Sequence, residues 1–171
     1  MKIIGIVGWK NNGKTTLIEG LIAHFARAGL RVATVKHAHH EFDMDHPGKD
    51  SFRHRAAGAR EVLVSSSRRW ALLHEADGEA EPALENLLAH LSPADLIIVE
   101  GYKQHAHAKI EVILNEQIAP IIAETDPNVI AIATNISGLA TALPTLPLDR
   151  PDQVAAFITE KLALAAPHLK R

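Results

Sequence analysis

The stretch that most restricts this chain is Gly8-Trp9-Lys10-Asn11-Asn12-Gly13-Lys14-Thr15-Thr16-Leu17, set directly behind the apolar run Ile3-Ile4-Gly5-Ile6-Val7. Gly8 to Thr15 follows the order Gly-x-x-x-x-Gly-Lys-Thr. A short β-branched run precedes it, and Leu17, Leu21, Ile22, Phe25 and Ala28 recur at helical spacing after it, with Gly29 as the stop. Such a loop needs glycine where the backbone must curl its N–H groups inward toward an anion. The helix opening near Lys14 adds the positive end of its dipole. Lys14 supplies a mobile charge for the β- and γ-phosphates, the Thr15 hydroxyl suits Mg²⁺, and Thr16 suits a lower phosphate. The side-chain amides of Asn11 and Asn12 are candidates to reach phosphate as well, since both residues tolerate unusual backbone angles. Trp9 and Lys10 read as ordinary loop residues.

Leu30 to Val35 reads as a second strand, so the first 35 residues form a βαβ unit. Asp50 or Ser51 starts a short helix that Gly58 ends, and Glu61–Ser65 and Trp70–His74 read as a hairpin around a polar turn. Leu84, Leu87, Leu88 and Leu91 mark another helix. Asp95–Glu100 is a strongly apolar strand ending in an acid, and Lys109–Leu114 alternates as a half-exposed strand. Residues 115–128 read as a flexible loop, Val129–Ala133 as a buried strand, and Val154, Phe157, Ile158 and Leu162 as a closing helix behind Pro151. Alternating strands and helices imply an α/β fold of the phosphate-loop type: a mainly parallel sheet, helices on both faces and an added β-hairpin.

The length of 171 residues suits one nucleotide-binding domain over residues 1–171. With 47% hydrophobic and 22% charged residues the composition is that of a soluble globular protein. A formal net charge of −2 gives no basic surface for nucleic acid or a membrane, so neither is expected as a partner. The absence of cysteine removes disulfides, thiolate metal sites and a thiol nucleophile, and fits a cytoplasmic location.

Two further segments bear on chemistry. Asp95-Leu-Ile-Ile-Val-Glu100-Gly101 puts Glu100 at the carboxyl edge of the sheet, where it can hold a Mg²⁺-bound water. Asp is the commoner residue there. Lys36 to Asp50 carries His37, His39, His40 and His46 together with Asp43, Asp45 and Asp50. Three readings of it stay open: a switch-like segment in which Asp43 or Asp45 meets metal or water, a transition-metal site on His37, His39 and His40 that His105 and His107 could join, and a solvated polar loop. Arg53, Arg55 and Arg60 read mainly as a charged outer helix face. Arg68-Arg69-Trp70 suits either an anion or planar ring, or a turn with a packed tryptophan.

Taken in order, "GWKNNGKTTL", "VKHAHHEFDMDHPGKDS", "RAAGA", "RRWALLHE" and "LIIVEGYKQHAHAKIEV" resemble MobB, the molybdopterin-guanine dinucleotide biosynthesis adaptor family, from residue 5 to about 115. The phosphate loop is generic. The His-rich segment and the "VEGYK" run are far more specific. The resemblance implies a GTP-binding adaptor with weak Mg²⁺-dependent GTP hydrolysis, working beside the guanylyltransferase MobA, with molybdopterin itself a further candidate partner, and assembling as a homodimer with a shared sheet. It carries Gly8, Gly13, Lys14, Thr15 and Thr16 onto the nucleotide loop, Glu100 onto the metal-side acid, and Asp45 and Asp50 onto the acidic loop. We assign Lys14 and Asp45 the catalytic part, Asp45 by positioning water. The Asn-Lys-x-Asp guanine signature of many GTPases is absent, and Asn135 and Asp149 are the candidates to meet the base. A small-molecule kinase using Arg53, Arg55, Arg68 and Arg69 as a basic lid, a nucleotide-binding metal-delivery protein built on the His loop, and a pure binding module in which GTP only stabilises a partner interface are the rival readings.

Overall fold

The computed structural model describes residues 1–38, 42–76, 78–114 and 120–164. They fall into two compact units, Met1–His37 with Leu84–Arg171, and Ala38–Ala83.

The larger unit is built on β1 (Lys2–Val7), β2 (Val32–Lys36), β5 (Leu96–Glu100), β6 (Lys109–Ile113), β7 (Val129–Thr134) and β8 (Thr145–Leu146). They lie in the order β2-β5-β1-β6-β7-β8, every neighbouring pair parallel. Parallel strands need long crossovers, and here helices supply much of them. Helix α1 (Lys14–Arg27) links β1 to β2, and α4 (Pro151–Leu162) follows β8. On one sheet face, Ile4 and Ile6 of β1, Leu96 and Ile98 of β5, and Ala131 and Ala133 of β7 join Leu17, Leu21 and Phe25 of α1 and Val154, Ala155 and Ile158 of α4 in one buried cluster. Each large apolar side chain enclosed this way contributes roughly 1.5–3 kcal/mol. On the other face, Ile97 and Val99 of β5 pack with Leu84 of α3 (Leu84–Ala89), and Val7 packs with Val129 and with Ile122 of a 3₁₀ turn, Ile122–Glu124. The two-residue alternation along each strand therefore feeds two cores, which is why these strands read as continuous apolar runs.

The smaller unit holds α2 (Asp50–Ala56) and an antiparallel hairpin, β3 (Glu61–Ser65) with β4 (Trp70–His74), paired from Glu61↔His74 to Ser65↔Trp70. The fold is thus the expected α/β class with a mostly parallel sheet and an added hairpin.

Three expectations change. The strand read as half-exposed over Lys109–Leu114 ends at Ile113 and is buried throughout, Lys109 and Glu111 included, with only Leu114 beyond it exposed. Each charge finds a partner far enough along the chain to be invisible locally. The Lys109 ammonium pairs with Asp126 at 2.8 Å and also donates to the His105 carbonyl, while Glu111 accepts the backbone N–H groups of Ile122 and Ala123 at 2.9 Å each. Burial pushes Asp126 up, but its bonds to Lys109 and Asn128 outweigh that and hold the carboxyl below its ordinary range. Of the segment 115–128 read as a loop, residues 115–119 lie outside the described residues, and the rest contains the 3₁₀ turn with Ile122 buried. The short strand β8 had no local signal.

Candidate functional site

Strand β1 ends at Val7, and the chain then leaves the sheet at its carboxyl edge. Gly8 has φ +143°, and a Cβ there would stand 2.6 Å from the Val112 carbonyl oxygen, so only glycine lets the loop cross β6 this closely. Asn11 and Gly13 adopt left-handed angles, φ +63° and +81°, which curl residues 8–13 back onto the start of α1. The buried Asn12 amide donates to the Val112 carbonyl at 3.3 Å and fastens the loop to the sheet. Helix α1 has no side-chain cap, and its first ladder bond is Leu17 N–H to Gly13 O, so the amides of Lys14, Thr15 and Thr16 stand ahead of the ladder at the positive end of the helix. Thr15 and Thr16 are exposed. The Lys14 ammonium arches back to the Trp9 carbonyl at 2.7 Å.

Glu100 closes β5, opposite Ile6 of β1 and Lys36 of β2. It therefore stands one strand from the loop. Its side chain is 18% exposed and lies 3.6 Å from the Lys36 ammonium. Burial, with Lys103 and Lys36 as like charges, pushes the Lys14 ammonium below its ordinary value, against the pull of Glu100. Lys36 and Lys103 thus belong to this edge. Lys103 falls in the "VEGYK" run, three residues past Glu100, whereas nothing local marks Trp9 as a participant. Its indole N–H donates to the Pro120 carbonyl at 2.8 Å, and the Lys103 ammonium lies 3.8 Å from its ring centroid.

The candidates for the base sit beyond β7. The Asn135 side-chain oxygen accepts the Leu148 N–H at 2.9 Å, and Leu148 is the neighbour a Cβ on Gly13 would meet at 3.7 Å. Asn135 so ties the Leu148–Asp149 turn beside the phosphate loop and keeps its amide N–H₂ for other use; Asp149 is exposed.

In the smaller unit, Asp45 is 8% exposed and committed. Its Oδ1 accepts the His46 N–H and the Ser51 hydroxyl at 3.0 Å each, and its Oδ2 lies 3.5 Å from the Arg55 Nε. Arg55, read from sequence as an outer-face charge, is 16% exposed and further bonded to Asp43 at 2.9 Å and Glu75 at 2.6 Å. Its bonds to Glu75 and Asp43 raise its pKa. Trp70, one of whose readings was a packed turn residue, is 63% exposed.

Of the histidine reading, His39 and His40 lie outside the described residues, and the His37 ring rests on Tyr102 at 4.7 Å between centroids. Among the described residues no three histidines, aspartates or glutamates gather as metal ligands would. His105 and His107 share a hydrogen bond at 3.0 Å between their Nδ1 atoms, and His105 Nε2 meets Glu85 at 2.8 Å. Burial, reinforced by Lys109 and His105, pushes His107 down to about 4. No helix among the described residues is long and apolar enough to cross a membrane.

Together these features define an α/β protein whose first parallel strand empties into a glycine-rich, lysine-bearing loop beside an acid at the sheet edge. Comparison with known proteins sharpens this. The family model "Molybdopterin guanine dinucleotide synthesis protein B" matches residues 3–135, and the chain belongs to that family, MobB. It is 36% identical over 162 residues to the molybdopterin-guanine dinucleotide biosynthesis adapter protein of Escherichia coli, covering 92% of this chain and 91% of that one. It is also 36% identical over 159 residues to the protein of the same description from Haemophilus influenzae, covering 91% and 86%. Among solved structures, Bacillus subtilis MobB superposes with a TM-score of 0.74 at 26% identity, covering 95% of this chain and 98% of that one.

Proposed function

We propose that this chain is a GTP-binding adapter with slow Mg²⁺-dependent GTP hydrolysis, serving the guanylyltransferase step of molybdopterin guanine dinucleotide biosynthesis in the cytoplasm. The observation that carries the nucleotide part is the Gly8–Thr15 loop, curled at the carboxyl edge of the sheet with Lys14 and Glu100 alongside. The adapter role comes from the family, and guanine is favoured because the product named for the family carries that base.

In this reading the loop amides and Lys14 hold the β- and γ-phosphates, with the Asn11 side chain nearby, whereas the buried Asn12 amide, expected from sequence to reach phosphate, is spent on the Val112 carbonyl and braces the loop. Mg²⁺ takes oxygen donors and commonly uses one or two carboxylates together with phosphate oxygens. The exposed Thr15 hydroxyl and the single carboxylate of Glu100 fit that need. When bound, the ion neutralises charge on the phosphates. What the chain's own residues contribute is positioning and electrostatic stabilisation. A slow rate is expected, since no arginine stands in the loop and Arg55 is engaged by Asp43, Asp45 and Glu75. Asp45, likewise committed, enters as a brace of the acidic loop and not as the group that positions water.

The proposal includes a homodimer through the hairpin. A two-stranded sheet leaves each strand with one unpaired edge. Here the ribbon also exposes Leu63, Val64, Trp70 and Leu72, more apolar surface than an isolated ribbon keeps in water. Light scattering is expected to give a dimer mass that Leu63→Lys reduces to the monomer; a monomeric wild type rejects this part. Competition binding of GTP, ATP and GDP, with and without Mg²⁺, tests the nucleotide part. GTP with Mg²⁺ is expected to win, and indifference to all three overturns the reading. Glu100→Gln should keep GTP affinity and lower turnover; an unaltered rate removes Glu100 from the site.

A further inference from the structure

We infer that Lys103 is a second phosphate-binding cation of the nucleotide loop, held on the face of Trp9 until a polyphosphate arrives. The inference rests on the reading of residues 8–16 as a nucleotide site and adds to it the group that selects for the number of phosphates.

Trp9 organises two ammonium groups at once. Its main-chain carbonyl takes Lys14 at 2.7 Å, and its ring face takes Lys103 at 3.8 Å. The indole is itself fixed from its edge by the Pro120 carbonyl, so the seat for Lys103 is rigid. Among the described residues no carboxylate lies within ion-pair distance of Lys103. The acid that most attracts it, Glu111, spends both oxygens on the Ile122 and Ala123 amides. Lys103 is therefore a partly enclosed cation whose one visible partner is a π face. That contact is weaker than a charge-assisted bond to a phosphate oxygen and is readily exchanged for one.

The backbone is bent to put it there. Directly after Glu100 the chain takes left-handed angles at Gly101, φ +90°, and at Tyr102, φ +50°. An aromatic residue in that region is strained, and such strain concentrates at ligand sites. The turn is held by His37: its Cβ would lie 3.0 Å from a Cβ on Gly101, and its ring stacks on Tyr102. Without the turn β5 would run on outward, and Lys103 would not fold back over the loop.

Charge completes the case. At this edge Lys14 is acted on by the like charges of Lys36 and Lys103, while Glu100 is already engaged by Lys36 and Glu111 by two backbone amides. Like charges so placed repel one another until a multivalent anion lies among them. A nucleoside triphosphate supplies that anion, and a monophosphate supplies too little of it. Burial, opposed by Glu111, lowers the proton affinity of Lys103, as expected of a cation waiting for its counter-charge.

The test uses the full chain carrying Trp70→Phe, which leaves Trp9 as its one tryptophan. GTP, GDP and GMP are titrated with Mg²⁺ against this parent and against its Lys103→Met and Lys103→Arg derivatives, following both affinity and Trp9 emission. Methionine keeps the packing on the indole and removes the charge. The expected result is a loss of about tenfold or more in GTP affinity for Lys103→Met, with GMP changed less than about twofold and Lys103→Arg restoring most of the loss. Trp9 emission should shift on GTP binding in the parent as the ammonium leaves the ring, and not in Lys103→Met. Unchanged GTP affinity in Lys103→Met overturns the inference while leaving the nucleotide reading intact. Equal losses for all three nucleotides, with a lowered melting temperature, also overturn it, since they show a clamp on the loop and nothing more. A parent that fails to bind GTP sinks the nucleotide reading, and this inference with it.

Discussion

The Arg55 cluster of the smaller unit and the lysine edge of the larger one are both dense in charge, and they differ in how that charge is used. Around Arg55, three carboxylates meet one guanidinium, and Asp45 has further partners in Ser51 and the His46 amide. Most of its hydrogen-bonding capacity is spent inside the unit, although Asp45 Oδ2 and Arg55 Nε, 3.5 Å apart, complete no hydrogen bond. At the end of β1 and β5, Lys14 feels the like charges of Lys36 and Lys103 against the pull of Glu100, and it rests on a carbonyl while Lys103 rests on an indole face. Charge held by several ionic partners braces a fold. Charge held by weak, exchangeable partners on a curled backbone is, in the proposed reading, kept for a ligand. The residue types in the two places are similar, so it is the accounting of partners that separates brace from site.

That contrast can be broken by substitution. The largest effect is expected at Gly8→Ala, where the left-handed angle and the Val112 carbonyl 2.6 Å away both oppose a side chain. Chemical denaturation should show a loss of about 3 kcal/mol or more, with nucleotide binding abolished. A stable, GTP-binding Gly8→Ala would mean the loop relaxes in a way this backbone does not foresee. Next comes Lys14→Ala, expected to remove about 3 kcal/mol of triphosphate affinity by calorimetry while the fold stays intact. Unchanged affinity would place the anion elsewhere.

A smaller effect concerns the half-buried pair His105–His107. His107 titrates at about 4 in the folded chain, against 6.5 for a free imidazole. Between those values the unfolded chain binds a proton that the folded one does not. Stability is therefore full above pH 6.5 and is lost as pH falls toward 4. The loss should reach roughly 1–2 kcal/mol, reduced from the full linkage because the ring is only half-buried. Denaturant midpoints measured across this range should flatten in His107→Gln, and an equal slope in both proteins would remove His107 as the cause. The smallest effect on binding is expected at Arg55→Met. Amide exchange should quicken in residues 42–76, while GTP affinity stays within about twofold if the cluster is a brace. A large loss of affinity would return Arg55 to the nucleotide site and erase the distinction.

The parts legible in the sequence were those whose signal is local. The run Ile3–Val7, the glycines at 8 and 13 and the periodicity of Leu17, Leu21 and Phe25 sit within one stretch of chain, and β1, the loop and α1 follow them closely. The hairpin was legible for the same reason, two alternating runs about a polar turn. Misreadings arose where a charge signalled solvent. Lys109 and Glu111 made β6 look half-exposed, although partners 17 and 11–12 residues away bury them. Arg55 looked like a surface charge because its acids, at 43, 45 and 75, lie outside its own helix. Trp9 looked like filler because nothing local reveals Pro120 or Lys103 against it.

The amino-acid order alone determined the strand, the glycine-bearing loop and the helix that opens at Lys14, since turn chemistry and helix periodicity act over a few residues. Tertiary structure decided which charges are spent and which are kept. It brought Glu100 one strand from the loop, seated Lys103 on Trp9, and buried Lys109 and Glu111 with their partners. The reason is that a charged side chain's role is set by what surrounds it in space, and parallel strands joined by long crossovers make those neighbours distant in sequence.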